Sequence, residues 1–364
     1  MAMQSVKGAK TNPNTRGEDG QPRSPSYNLW MDAIGVVAPF CVVLLHVVMP
    51  RNLVDYGYRP LLIQVFAIWA VPVFYMLTGA KLMGYRERYD TKTYLLKRAR
   101  KTFLPYLFWI TFATVFRSLY PGELYLSPGV ENAKISDYLR IFAQPHVRVY
   151  WFFIPLFLIY LAIPLLSLIK EKRRLLWGLT LSVMGLKTVL TPMALWIWPD
   201  RTELFTGGFW SFAGFLSYAV LGYLLSTCHF RRIHRLLCYP LFCGTSGLGY
   251  WIVSALFDKP WLLRQEAVYL FFPVVLLSVS VLVWFRCVPW ERLGKRAGAC
   301  LRQLSACGLG VYLIHSYVLD LARQWIPATG EIEWAIPTSL GAFALLLLLV
   351  WVLRKIPVLR HLVP

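Results

Sequence analysis

The chain has 364 residues, 57% of them hydrophobic and only 15% charged, with a net charge of +20 and a mean hydropathy of +0.51. Soluble domains carry about 25% charged residues, so this deficit, together with repeated apolar runs of about 20 residues, excludes an ordinary soluble enzyme. The basic residues cluster between the apolar runs, which argues for a lipid bilayer as the partner of the charge and against nucleic acid.

The first 27 residues are polar, rich in Gly, Pro, Ser, Lys and Arg, and contain no apolar run. They read as a disordered basic cytoplasmic tail without a cleavable signal peptide. Ten spanning helices follow, at about 29–49, 61–83, 102–121, 150–169, 175–197, 207–227, 236–257, 267–285, 304–325 and 334–353. The expected fold is therefore all-α, a polytopic integral membrane protein with about ten transmembrane helices. One transmembrane domain, 28–356, is followed by a short cytoplasmic tail, 357–364. The only long connection, 122–149, has room for short interfacial structure. With the N-terminus inside, the inner segments hold 26 Lys and Arg and the outer ones 10. This asymmetry obeys the positive-inside rule and makes both termini cytoplasmic. Aromatic residues, 16% of the chain, suit the two interfacial belts.

Depth follows from topology. His46 lies near the outer end of the first span, and Asp32 lies roughly 21 Å below it at 1.5 Å per residue, too far to orient its ring. An ionisable ring in a span marks a functional site, and an imidazole exchanges a proton near neutral pH. A general base or proton shuttle is one role for His46 and an inert interfacial histidine is the other. His315 falls near mid-membrane in Ser305-Ala306-Cys307-Gly308-Leu309-Gly310-Val311-Tyr312-Leu313-Ile314-His315. Its glycines permit close helix approach, and Tyr312 shares a face with His315. That pair either acts directly or hydrogen-bonds across helices. The inner segment from Tyr85 to Lys101 holds seven cations. Most suit anionic lipid, but Arg98, Arg100 and Lys101 could grip the phosphates of a nucleotide-bearing donor, since guanidinium forks bind phosphate bidentately. Lys187 sits near the middle of the fifth span and needs a partner, water or a snorkelling path. Pro72 should kink the second span and free a carbonyl. The seven cysteines show no paired spacing, so neither a disulfide framework nor a metal site is expected. There is no P-loop, nucleophile elbow, dinucleotide fingerprint or His-Glu-x-x-His motif.

Several of these segments resemble the membrane-bound acyltransferase-3 family, which acylates sugars of bacterial surface polysaccharides. Asp32-Ala33-Ile34 leading to Val43-Leu44-Leu45-His46 is similar to the family's first helix. Val71-Pro72-Val73-Phe74-Tyr75-Met76-Leu77-Thr78-Gly79 is similar to its second, and Lys97-Arg98-Ala99-Arg100-Lys101-Thr102-Phe103-Leu104-Pro105-Tyr106 to its basic third-helix entry. Val149-Tyr150-Trp151-Phe152-Phe153 resembles its fourth-helix start and Gly310-Val311-Tyr312-Leu313-Ile314-His315 its late Tyr-x-x-His helix. The order and topology agree across most of the chain after residue 28.

The resemblance implies an enzyme of the inner membrane that takes acetyl from cytoplasmic acetyl-CoA, a co-substrate rather than a bound cofactor. The acceptor would be a polysaccharide or lipid-linked oligosaccharide at the outer side. His46 would be the catalytic base, with Arg98, Arg100, Lys101, Trp151, Tyr312 and His315 at the substrate- or donor-binding positions and no metal. Two departures stand out. Gly35 occupies the place of the family's usual arginine, eleven positions before the histidine, and the two-arginine motif reads Arg98-x-x-Lys101. The residues alone also allow a proton-coupled secondary transporter or a non-catalytic scaffold of polysaccharide assembly. Against the transporter stand the lack of repeat symmetry and the scarcity of intramembrane acids, Asp32 and Asp320 being the main ones.

Overall fold

The computed structural model describes residues 29–48, 59–119, 145–190, 208–255, 268–325 and 332–364, with Leu124, Leu126, Ser136, Met193, Ile197 and Trp198. The proposed N-terminal tail 1–27 and most of the connection 122–149 lie outside the described residues. Everything regular among the described residues is helical. In chain order the elements are α1 (Leu29–Val48), α2 (Arg59–Ala67), α3 (Ala70–Leu82), α4 (Thr91–Arg98) and α5 (Leu104–Leu119). Then come α6 (Phe153–Leu166), α7 (Arg173–Gly185), α8 (Gly208–Ser226), α9 (Arg232–Ala255), α10 (Phe272–Cys287), α11 (Lys295–Ala306), α12 (Gly308–Trp325) and α13 (Ile332–Lys355).

Each of the ten expected spans overlaps at least one of these helices, but not all of the helices are long and apolar enough to cross a membrane. Five stretches are long and apolar enough to cross a membrane: Leu29–Val48, Leu61–Glu87, Arg148–Leu166, Arg232–Ala255 and Glu333–Lys355. A sixth results if α11 and α12, bent by 52° at Cys307, count as one broken span. Helix α5, with 16 residues, reaches about 24 Å, short of the ~30 Å hydrocarbon core on its own. It is extended at its N-terminal end by a wide π turn, Ala99–Phe103, which joins it to α4 without a gap.

Proline sets the breaks. The second span pauses at Ile68–Trp69, four residues before Pro72, whose missing N–H leaves the Ile68 carbonyl without its helical donor. In α1, Pro39 likewise frees the carbonyl of Gly35, although the helix runs unbroken over Leu29–Val48.

Small residues bring the helices together. A Cβ on Gly79 of α3 would lie 1.7 Å from the Ala219 carbonyl oxygen, and one on Gly222 of α8 would lie 2.0 Å from that of Met76. These helices touch backbone to backbone, as small residues allow in a bilayer. The interior is aromatic, with Tyr75, Tyr106, Tyr150, Tyr218, Phe153 and Phe215 almost fully buried. A buried hydroxyl needs an acceptor, and backbone carbonyls supply it: Tyr75 donates to Phe152 at 3.0 Å, Tyr312 to Val149 at 2.8 Å, Tyr317 to Trp109 at 2.7 Å, and Tyr150 to Leu313.

The segment 357–364 is no free tail. After α13 the chain makes a short turn, Leu359–His361, and the Trp109 indole N–H donates to the Leu362 carbonyl at 2.8 Å. Val363 is buried and reaches Gly310 at the start of α12. An apolar Leu-Val pair that can reach a bundle surface gains more by packing than by hydration.

Candidate active site

His46 lies in the last turn of α1 and His315 in the middle of α12. Helix positions alone put the two at different depths; the structure stacks them, ring centroids 5.2 Å apart and planes 29° apart. His315 is fully buried, while His46 is half-buried.

Their nitrogens are unequal. His315 Nδ1 lies 2.6 Å from the Tyr312 carbonyl oxygen. A carbonyl only accepts, so in the neutral ring the proton sits on Nδ1 and Nε2 is a bare acceptor. That Nε2 and His46 Nδ1 are both buried without a hydrogen-bond partner among the described residues. Unpaired buried nitrogens are costly, and here two share one site, where a substrate's hydroxyl proton can be received.

Aromatic walls frame the pair. The Tyr312 ring lies 5.3 Å from that of His315 and packs on Phe152 at 5.0 Å and Phe74 at 6.2 Å. Its hydroxyl is engaged by Val149, so Tyr312 contributes its carbonyl and its ring to the site and not a free O–H. At the C-terminal end of α1, Arg323 Nη2 donates to the His46 carbonyl oxygen, and Arg323 Nη1 lies 3.8 Å from Asp320 Oδ1. The sequence pattern assigned Arg323 no role. Its cue was the Asp320–Arg323 spacing of three on an otherwise apolar helix.

Gly35 occupies a tight crossing. Its ideal Cβ would lie 2.4 Å from Ser305 Oγ, and a Cβ on Gly308 would lie 2.9 Å from the Gly35 carbonyl oxygen and 3.2 Å from Pro39 Cγ. Helix α1 thus fits into the break between α11 and α12, where an arginine has no room without moving one of them. A cation whose contact is fixed at this break is Arg354 of α13, with Nη1 3.7 Å from Cys307 Sγ.

The basic residues of the segment from Tyr85 to Lys101 divide. Asp90 caps α4, accepting from the backbone N–H groups of Lys92 at 3.2 Å and Thr93 at 3.4 Å. The hydrogen bond from the Thr93 side chain holds Asp90 below the ordinary carboxylate value. Arg98 ends this helix, half-buried, with its Cζ 5.7 Å from the Tyr160 ring centroid and a buried Nε that has no partner among the described residues. Arg100 and Lys101 are exposed. The three cations therefore do not form one cluster: the π turn over Ala99–Phe103 rotates the later two away from Arg98. None of them adjoins the histidine pair. Trp151 stacks on Tyr269 at 5.3 Å and lies 5.7 Å from Phe215, one residue from the Phe152 that walls Tyr312. Lys187, 3% exposed, is buried in the π turn Leu186–Leu190.

A half-buried imidazole is thus stacked on an enclosed one within a bundle of apolar helices. The chain matches the family model described as an acyltransferase domain over residues 28–355 and belongs to the acyltransferase-3 family. It is accordingly a membrane acyltransferase of a family that acts on carbohydrates or similar acceptors. No curated protein and no solved structure matches the chain.

Proposed function

We propose that the protein moves an acetyl group from cytoplasmic acetyl-CoA to a sugar hydroxyl of a lipid-linked or extracellular polysaccharide at the outer face of a bacterial inner membrane. Ten spans with both termini cytoplasmic agree with the excess of basic residues in the inner segments. The observation that carries the proposal is the stacked His46–His315 pair with its two unpaired nitrogens.

His46 acts as the general base, because it is the half-exposed member of the pair. The acceptor hydroxyl attacks the acetyl carbonyl carbon, and its proton passes to His46 Nδ1. The carbon–sulfur bond of the thioester then breaks, and the departing CoA thiolate takes the proton from the imidazolium. His315, held in one tautomer by the Tyr312 carbonyl, keeps a bare Nε2 that accepts from a neighbouring hydroxyl of the same sugar and so orients the acceptor. Arg98 receives a donor phosphate at the inner edge, where its guanidinium already has one unpaired buried N–H. Arg100 and Lys101 add positive potential at the surface, and Trp151 supports the wall formed by Phe152 and Tyr312.

The test is transfer of labelled acetyl from acetyl-CoA to a lipid-linked oligosaccharide by purified protein in liposomes. Label on sugar and free CoA thiol should appear in equal amounts with the wild type, and neither with His46→Ala. Near-normal turnover in a folded His46→Ala protein would remove His46 from the chemistry.

A further inference from the structure

We infer that Arg323 and Asp320 are positioning residues for the acyl-transfer step, a latch that ties the backbone of His46 to the outer connection at Leu126. The inference rests on His46 being the base. It begins with a carbonyl that the helix itself cannot satisfy. In a continuing helix the His46 oxygen would accept from residue 50, but residue 50 is proline and has no N–H. An unpaired carbonyl near the apolar region costs free energy. Arg323 supplies the missing donor from a different helix, its Nη2 bonding the His46 oxygen. A cation at a helix C-terminus is also favoured by the helix dipole.

Asp320 fixes the guanidinium in turn. It is 1% exposed and lies one turn before Arg323, 3.8 Å from Nη1. Both of its oxygens also accept from the backbone N–H of Leu126, at 3.0 and 3.1 Å. The Leu126 carbonyl accepts from Arg148 N–H at 3.0 Å, so the outer connection is pinned on both sides of one buried residue. The chain of contacts runs from the Leu126 amide through Asp320 and Arg323 to the His46 carbonyl, on the same residue whose ring stacks on His315. The backbone that carries the proton-accepting ring therefore cannot shift along or about α1 without breaking a charge-assisted hydrogen bond. A misplacement of about 1 Å costs on the order of 100-fold in rate.

The experiment compares Arg323→Ala, Arg323→Lys and Asp320→Asn with His46→Ala in the liposome assay, with both KM values and kcat measured. Arg323→Ala should lower kcat by about 100-fold and leave both KM values within about twofold. Arg323→Lys should recover much of the loss, because an ammonium still donates to a carbonyl. Asp320→Asn should fall between them: its amide oxygen still accepts from Leu126 but no longer carries the charge that holds Arg323. Amide hydrogen exchange gives a readout independent of activity: the peptide containing Leu126 should lose protection in Asp320→Ala, which removes the acceptor, and keep most of it in Asp320→Asn. If Arg323→Ala does not insert stably, the lysine and asparagine variants carry the comparison. Wild-type kcat in Arg323→Ala beside an inactive His46→Ala would overturn the latch, as would unchanged exchange at Leu126 in Asp320→Ala. An active His46→Ala would instead remove the base on which the latch acts.

Discussion

The tight crossing of α3 and α8 gives the sharpest stability prediction. In Gly79→Ala the new methyl would lie 1.7 Å from the Ala219 carbonyl oxygen, half the 3.4 Å at which ordinary contact begins. The obstacle is backbone, so no rotamer relieves it; α3 and α8 must separate. Overpacking of a core typically costs about 1–3 kcal/mol and occasionally more, and a backbone–backbone clash belongs at the upper end. Gly222→Ala meets the Met76 backbone at 2.0 Å and should cost a similar amount. Once the helices have parted for one methyl, the second is accommodated in the same gap, so the double variant should cost clearly less than the sum. Thermal unfolding of the purified protein in detergent measures all three against wild type. Unchanged stability in Gly79→Ala, or strict additivity in the double variant, would refute the packing argument.

Other substitutions probe the site. Gly35→Ala should be tolerated, since Ser305 Oγ can rotate away and the next atom, Ser305 Cβ, is 3.4 Å off; Gly35→Arg should abolish transfer and reduce stability, as measured by label transfer and thermal unfolding. Arg98→Ala should raise the apparent KM for acetyl-CoA more than it lowers kcat, whereas the exposed Arg100→Ala should change either by less than about threefold; equal effects from the two would assign the segment to lipid contact. Tyr312→Phe leaves the Val149 carbonyl without its donor and should cost about 1 kcal/mol of stability while turnover stays within a few-fold of wild type. A collapse of turnover there would give the hydroxyl a direct role.

Much of the architecture was legible because bilayer burial writes itself as long apolar runs, and the positions of the helices follow those runs closely. The glycines of the 305–315 segment were legible for the same reason: Gly308 and Gly310 stand where α12 approaches α1 and α13. What the runs could not carry was the break at Cys307. The sequence on either side is compatible with one helix beginning near residue 304, and only the packing of Gly35 and Pro39 against Gly308 shows where it bends. The pairing of the two histidines was hidden likewise. It depends on the relative height of α1 and α12, which hydropathy does not encode. The inner cations show the opposite limit. Their spacing suggested one grip, but a π turn of five residues changes the facing of everything after Arg98.

The distance between the two ends of the site constrains how the proposed reaction can run. Arg98 and Trp109 lie on one continuous helical stretch, 11 residues apart in sequence, or about 17 Å at the rise of an α-helix. The Trp109 carbonyl accepts from the Tyr317 hydroxyl, and Tyr317 stands two residues beyond His315. Arg98 and the histidine pair are thus separated by roughly half the hydrocarbon thickness. A donor phosphate held at Arg98 leaves its thioester close to His46 only if an extended arm runs inside the bundle between them. The aromatic walls formed by Phe74, Phe152 and Tyr312 offer such an arm a dry surface, and water excluded from it cannot hydrolyse the thioester before the sugar arrives. Gly35 fits the same logic: α1 is packed closely at the α11–α12 break, so in the proposed reaction the donor would enter on the side of α4 and α6, where Arg98 and Tyr160 stand together.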